Sequence, residues 1–157
     1  MLNVGDKIPT FSLPNQLEQV VSSDHLNGSW VVLYFYPKDN TPGCTQESCD
    51  FRDSEELLKK QGCMVLGISK DSPKSHTNFI AKYNFPFDLL SDEKSDVCEQ
   101  FGVWVEKSMY GKKYFGIERS TFLIAPDGKI VHIWKKVSVK DHVNSVLKVL
   151  ETELQKQ

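Results

Sequence analysis

The stretch Trp30-Val31-Val32-Leu33-Tyr34-Phe35-Tyr36, continued by Pro37-Lys38-Asp39-Asn40-Thr41-Pro42-Gly43-Cys44-Thr45-Gln46-Glu47-Ser48-Cys49, decides how this chain folds. The first seven residues are apolar throughout and bounded by Asn27-Gly28 and Pro37, as in a strand buried on both faces. Thr41 is suited to cap a helix, and Pro42 stands where a helix tolerates proline best. A helix over 44–60, ending near Gly62, is therefore expected. It would carry Cys44 in its first turn and Cys49 five residues later.

Working outward, Cys63–Ser69 reads as a second buried strand, and residues 73–83 as a helix with Ser72 as N-cap and Pro73 at its first position. A short strand near Leu89-Leu90 and a helix around 96–101 follow. Ser120–Ala125 and Lys129–Trp134 form a hairpin across Pro126-Asp127-Gly128. A last helix lines up Val143, Val146, Leu147, Leu150 and Leu154 on one stripe. Residues 1–29 are expected to form an N-terminal hairpin and a connection. The order implies one α/β domain over 1–157, with a thioredoxin-like central mixed sheet, helices on both faces and an insertion around 85–115.

Composition narrows the function. With 39% apolar and 25% charged residues the chain is no disordered segment, and a net charge of −2 supplies no field for nucleic acid or anionic lipid. Met1–Lys7 lacks the order of a signal peptide, and no apolar run approaches the ~20 residues of a membrane span, so a cytoplasmic protein is expected. Four cysteines, at 44, 49, 63 and 98, then argue for chemistry rather than a structural disulfide framework. The spacing of Cys44 and Cys49, with no second cysteine or histidine pair, does not suit zinc. Cys63 and Cys98 read as small core residues. The histidines at 25, 76, 132 and 142 are scattered, none near the motif, and read as solvated or core residues.

Cys44 recurs with Phe51 and Leu58 every seven residues, which puts the thiol on the apolar side of its helix. The unpaired N–H groups of a first turn favour a thiolate. Asp39, Glu47, Asp50 and Asp53 oppose it, so a cation must arrive from elsewhere in the fold. The chain has two arginines. Arg52 lies about 12 Å along the helix by rise. Arg119, beside the strand at 120–125, is the better candidate, because its fork can donate to the thiolate and to a bound oxygen together. Glu47 could hold that guanidinium, and Gly43 removes bulk beside the thiol.

Ionising a cysteine of ordinary pKa gains only about thirtyfold at pH 7, or ~2 kcal/mol. Larger acceleration requires donors aimed at the transition state: the Thr41 hydroxyl, the first-turn N–H groups and Arg119. Such donors suit two adjacent electronegative atoms, as in a peroxide. Five helical residues place the Cα atoms of Cys44 and Cys49 about 8.7 Å apart, beyond the ~7 Å limit for a disulfide. Bonding them requires the first turns to unwind, which the polar run Thr45–Ser48 makes inexpensive in lost apolar packing.

At these residues the sequence resembles the peroxiredoxins of the bacterioferritin comigratory protein, or peroxiredoxin Q, type. Pro37, Thr41 and Cys44 fall on the Pro-x-x-x-Thr-x-x-Cys pattern of that family, and Gly116–Ile124 is similar to its arginine-bearing segment. Gly102-Val103-Trp104 and Tyr110–Tyr114 also match, so the likeness runs from about Gly5 to Leu150. The resemblance implies a thiol peroxidase in which Cys44 is oxidised to a sulfenic acid by hydrogen peroxide or an organic hydroperoxide, Cys49 resolves it as a disulfide, and thioredoxin reduces that disulfide. It implies no metal, haem or flavin, and a monomer. Some members carry the resolving cysteine in the following helix, but residues 74–84 contain none. Ser48 stands where alanine is common, a departure expected to be harmless. Trp104, Met109 and Tyr110 would line the substrate mouth or pack in the core. A thioredoxin-like disulfide reductase would need Cys-x-x-Cys, which is absent. A non-catalytic redox sensor would show only slow, single-turnover peroxide consumption.

Overall fold

In the computed structural model, which describes residues 1–156, the segment Trp30–Phe35 forms strand β3 at the centre of a five-stranded sheet. Every residue of β3 is buried. The alternation of side chains splits them between two cores: Val31, Leu33 and Phe35 face one, while Trp30, Val32, Tyr34 and Tyr36 face the other. That is why this strand is apolar throughout rather than every second residue.

Around it, β4 (Cys63–Ser69) and β5 (Leu89–Ser91) run parallel to β3, and β8 (Ser120–Ile124) and β9 (Ile130–Trp134) complete the sheet in antiparallel pairings, giving the order β5-β4-β3-β8-β9. Helices α1 (Pro42–Lys60), α2 (Pro73–Tyr83) and α4 (His142–Gln155) give Phe51, Leu58, Phe79, Val143, Val146 and Leu150 to the core under Tyr34 and Tyr36. The opposite face is covered by the one-turn helix α3 (Val97–Gln100) together with Phe11, Leu13 and Leu26 of the N-terminal region. There the expected hairpin is formed by β1 (Ser12–Pro14) and β2 (Val20–Ser22).

Two boundaries differ from the expectation. Helix α1 begins at Pro42 rather than Cys44, since Thr41 is still extended (φ −90°, ψ 156°) and Pro42 supplies the first helical φ. The expected insertion holds a third hairpin, β6 (Trp104–Met109) against β7 (Lys112–Ile117). Its two turn residues, Tyr110 and Gly111, both have positive φ (51° and 80°), as in the favoured two-residue hairpin loop. Tyrosine is uncommon there, so the Asn-Gly signal that would mark the turn is missing.

The register of β3 places the reactive segment. Phe35 pairs with Ser120 of β8, so Arg119 sits one residue past that pair, beside the end of β3 where the chain turns toward α1. On the other side Tyr34 pairs with Gly67 of β4, and its ring lies over that glycine. A Cβ on Gly67 would come within 2.7 Å of Leu89 Cδ2 and 2.8 Å of Tyr34 Cζ. Gly67→Ala is therefore expected to destabilise the fold by about 1–3 kcal/mol. An unchanged urea midpoint would contradict this packing.

Candidate active site

Thr41 accepts the first helical bond of α1, from the Thr45 N–H at 2.8 Å, but its side chain does not cap the helix. Its hydroxyl donates instead to the Lys38 carbonyl (2.8 Å). The N–H groups of Gly43 and Cys44 thus stay without an intrahelical partner at the positive end of the helix. In this conformation the Thr41 hydroxyl offers a lone pair rather than a proton, a reversal of the donor role expected for it. Pro37 lies at the end of β3, where the chain leaves the sheet for this loop.

Cys44 is 1% exposed, on the buried face shared with Phe51 and Leu58. Arg119 reaches it across the sheet: Nη2 donates to Cys44 Sγ (3.3 Å) and Nη1 to Glu47 Oε1 (2.7 Å). Glu47 is fully buried one turn beyond the thiol, so carboxylate and sulfur share one guanidinium. Gly43 makes room for it, because a Cβ there would lie 3.1 Å from Nη2. The fork can hold a sulfur anion and present N–H donors toward an oxygen leaving it.

The structure brings Cys44, Glu47, Gly43, Thr41 and Arg119 to one place and keeps Cys49 apart. Cys49 is half-buried farther along the unbroken helix, and all four thiols are free. Burial is the main cause that pushes the Cys49 thiol up, aided by Asp53 and Asp50 and opposed by Arg52. Cys63 is pushed up to about 12 by burial, and burial followed by the charge of Asp92 pushes Cys98 higher still. These two read as inert core thiols, as expected.

Several expectations need correction. The run Thr45–Ser48 looked loosely held, yet Glu47 and Ser48 are fully buried, and Ser48 Oγ shares a hydrogen bond with Tyr34 Oη (2.8 Å). Unwinding the start of α1 must break these polar contacts as well as expose Cys44. The uniform polarity of the run conceals their burial, because they are held by partners far away in sequence. Asp39 does not oppose the thiolate as a free carboxylate, because His76 of α2 pairs with it (Nδ1 to Oδ2, 2.7 Å). One histidine therefore does touch the motif. Met109 and Tyr110 are exposed at the tip of the β6–β7 hairpin, while Trp104 packs against the core with the Lys70 ammonium over its ring.

A second cation went unnoticed in the sequence. Lys107 on β6 donates to the Ile117 carbonyl, and its pKa is lowered by burial and by Arg119 while Cys44 and Glu118 pull it back up. It lies within electrostatic reach of the thiol. Only recognition of the β6–β7 hairpin would have brought it there.

Two buried groups titrate in opposite senses. Burial pushes the Glu47 carboxyl up from 4.5 to about 7, against the pull of Arg119. The folded chain then holds the extra proton, so this contribution to stability falls as pH rises through 4.5–7. His142, bonded to Thr121 Oγ1 (2.8 Å), is lowered from 6.5 to about 4 by burial and then by Arg119. Its contribution is lost as pH falls through 6.5–4. Glu47→Gln removes only the first slope, so the urea midpoint of the variant should climb more steeply than wild type from about pH 4.5 to 6.5. Parallel profiles would contradict the assignment.

The AhpC/TSA family profile matches residues 4–133. The chain is 56% identical over 146 residues to a putative peroxiredoxin bcp of Coxiella burnetii, covering 93% of this chain and 97% of the relative. It is 45% identical to peroxiredoxin Bcp of Bacillus subtilis, over 96% of each. Among solved structures, a cysteine-to-serine mutant of Xylella fastidiosa PrxQ superposes with a TM-score of 0.93 at 39% identity, over 98% of each chain. The bacterioferritin comigratory protein of Xanthomonas campestris, studied for alkyl peroxide reduction, superposes with a TM-score of 0.88 at 42% identity, over 94% of this chain and 99% of that one. With a thiol at a helix start under an arginine fork and these relatives over nearly its whole length, the chain belongs to the AhpC/TSA family as a peroxiredoxin of the Bcp/PrxQ type, a peroxidase.

Proposed function

We propose that this chain, acting as a single domain, reduces hydrogen peroxide and organic hydroperoxides with Cys44 as the attacking thiol and Cys49 as the resolving one. The observation that carries this reading is the Arg119 fork, bonded at once to Cys44 Sγ and to buried Glu47. The Cys44 thiolate attacks one peroxide oxygen, an S–O bond forms, the O–O bond breaks, and the leaving oxygen departs as alcohol or water after taking a proton. Arg119, the N–H groups of Gly43 and Cys44, and Thr41 surround that charge transfer, and Pro37, Gly43 and Glu47 support them.

The resulting sulfenic acid is attacked by Cys49, releasing water and leaving a disulfide. The separation of these residues in an intact helix means that α1 unwinds at its start before this step. A dithiol donor of the thioredoxin type then restores both thiols by two exchanges. All of the attacking residues lie in one chain, which supports action as a monomer, and the need for continual reduction supports a cytoplasmic setting.

Mass spectrometry of non-reduced peptides after one equivalent of peroxide tests the scheme. Wild type should show a 44–49 crosslink, Cys44→Ser no turnover, and Cys49→Ser one sulfenic acid that stalls with thioredoxin. Oxidation confined to another thiol would sink it. Arg119→Lys keeps the charge but loses the fork, so the rate constant with peroxide should fall roughly a hundredfold or more, beyond what ionisation explains. A loss of less than about threefold would remove Arg119 from the transition state. Amide exchange over residues 40–52 should rise on oxidation, and equal exchange in both redox forms would count against unwinding.

A further inference from the structure

The loop that delivers Thr41 and Cys44 is tied to α2 by a buried cluster that the scheme above does not use. Asp39 Oδ1 accepts from Tyr36 Oη (2.6 Å), and Oδ2 accepts from Ser75 Oγ (2.8 Å) and faces His76 Nδ1 (2.7 Å). The Asp39 N–H donates to Asp71 Oδ2 (2.8 Å), an oxygen that also accepts from Ser69 Oγ. On its far side, His76 Nε2 lies 3.0 Å from the Leu90 carbonyl of β5. The His76 and Asp39 side chains are 0% and 4% exposed. A carbonyl can only accept, so Nε2 carries a proton. Nδ1 and Oδ2 share a hydrogen bond sealed from water.

The next loop residue is held as well. Asn40, in the left-handed region (φ 61°), accepts at Oδ1 from Lys82 Nζ (3.2 Å) and Tyr83 Oη (3.3 Å) at the other end of α2. Helix α2 therefore splints two consecutive residues, one with its first turn and one with its last. Downstream, the Thr41 hydroxyl has only its local bond to Lys38, and α1 is the element that must open. A buried pair of ionisable groups is weak evidence for stability, since desolvation consumes much of the attraction. Its clearer consequence is geometric: the polar contacts of Asp39 fix where the loop stops and α1 starts.

We infer that His76 is a positioning residue for peroxide reduction. Through Asp39 it clamps the 36–40 loop to α2 and β5, keeping Thr41 and the first-turn N–H groups in register with Arg119 and confining redox unwinding to the chain after Thr41. This rests on the Cys44 and Cys49 reading above. The clamp touches neither thiol, and acts on the oxidation step, which needs the loop in place, rather than on resolution, which begins once α1 has opened.

The test compares wild type, His76→Leu, and the double variant Asp39→Asn with His76→Leu, which removes both ionisable groups while leaving Tyr36 and Ser75 a polar partner. Stopped-flow fluorescence would separate the second-order oxidation by hydrogen peroxide from the first-order disulfide step, alongside urea midpoints and amide exchange of the reduced protein. In the double variant the midpoint should return to near wild type, because no ionisable group is left buried without its partner. Its oxidation rate constant should still be at least about tenfold lower, its disulfide step within about twofold of wild type, and exchange over 36–40 at least about tenfold faster. If His76→Leu does not fold, the double variant alone decides. Oxidation within about twofold of wild type, both steps falling together, or unchanged exchange over 36–40 would each overturn the clamp. Wild type that fails to react at Cys44 would instead sink the peroxidase scheme, and the exchange comparison would still report on the loop.

Discussion

A guanidinium shared between a buried sulfur and a buried carboxylate is the constraint from which the rest of this site follows. Arg119 is the cation bonded to the thiol, and it is aimed by Glu47 rather than by solvent. Holding the sulfur and the carboxylate away from water is costly unless the half-buried guanidinium partners them. That explains the glycine at position 43, where any side chain would press on the guanidinium. It also explains why Arg119 sits directly after a hairpin and before a buried strand, since only a register fixed by β3 and β8 delivers it to the start of α1.

The same helix start carries a second demand. Under the proposed cycle its fold must be firm enough to seat Cys44 against Arg119 and weak enough to open for Cys49. Burial of Glu47 and Ser48 through specific polar contacts, rather than broad apolar packing, reconciles the two requirements. Such contacts are strong while made, and they are replaced by water once the helix end leaves the protein. Tyr34 lies between the two functions: it stacks on Phe51 at 4.7 Å, bonds Ser48, and rests on Gly67 in the neighbouring strand. Ser48, read from the sequence as a harmless replacement for alanine, is thereby part of what opening must break.

Much of the fold was legible because its signals are local. An unbroken apolar run, a Thr-Pro helix entry, a Ser-Pro helix entry and a turn with Pro-Asp-Gly each depend on neighbours within a few residues. The β6–β7 hairpin escaped because Tyr110 adopts a conformation that its side chain does not advertise. Distance along the chain hides the contact of His76 with Asp39, 37 positions earlier. Lys107 is hidden likewise, since its approach to Arg119 depends on the β6–β7 hairpin.

By itself the sequence singled out a candidate thiol at a helix start and fixed how far along that helix the next cysteine lies. Residue type and helical rise settle those without knowledge of any other segment. Scarcity of arginine even singled out the cation. Only the tertiary structure decided which polar residues would be buried, which carboxylate would find a partner, and in which direction each hydroxyl would donate. Burial and hydrogen bonding are properties of pairs, and strand register and helix packing, rather than sequence spacing, decide which pairs meet.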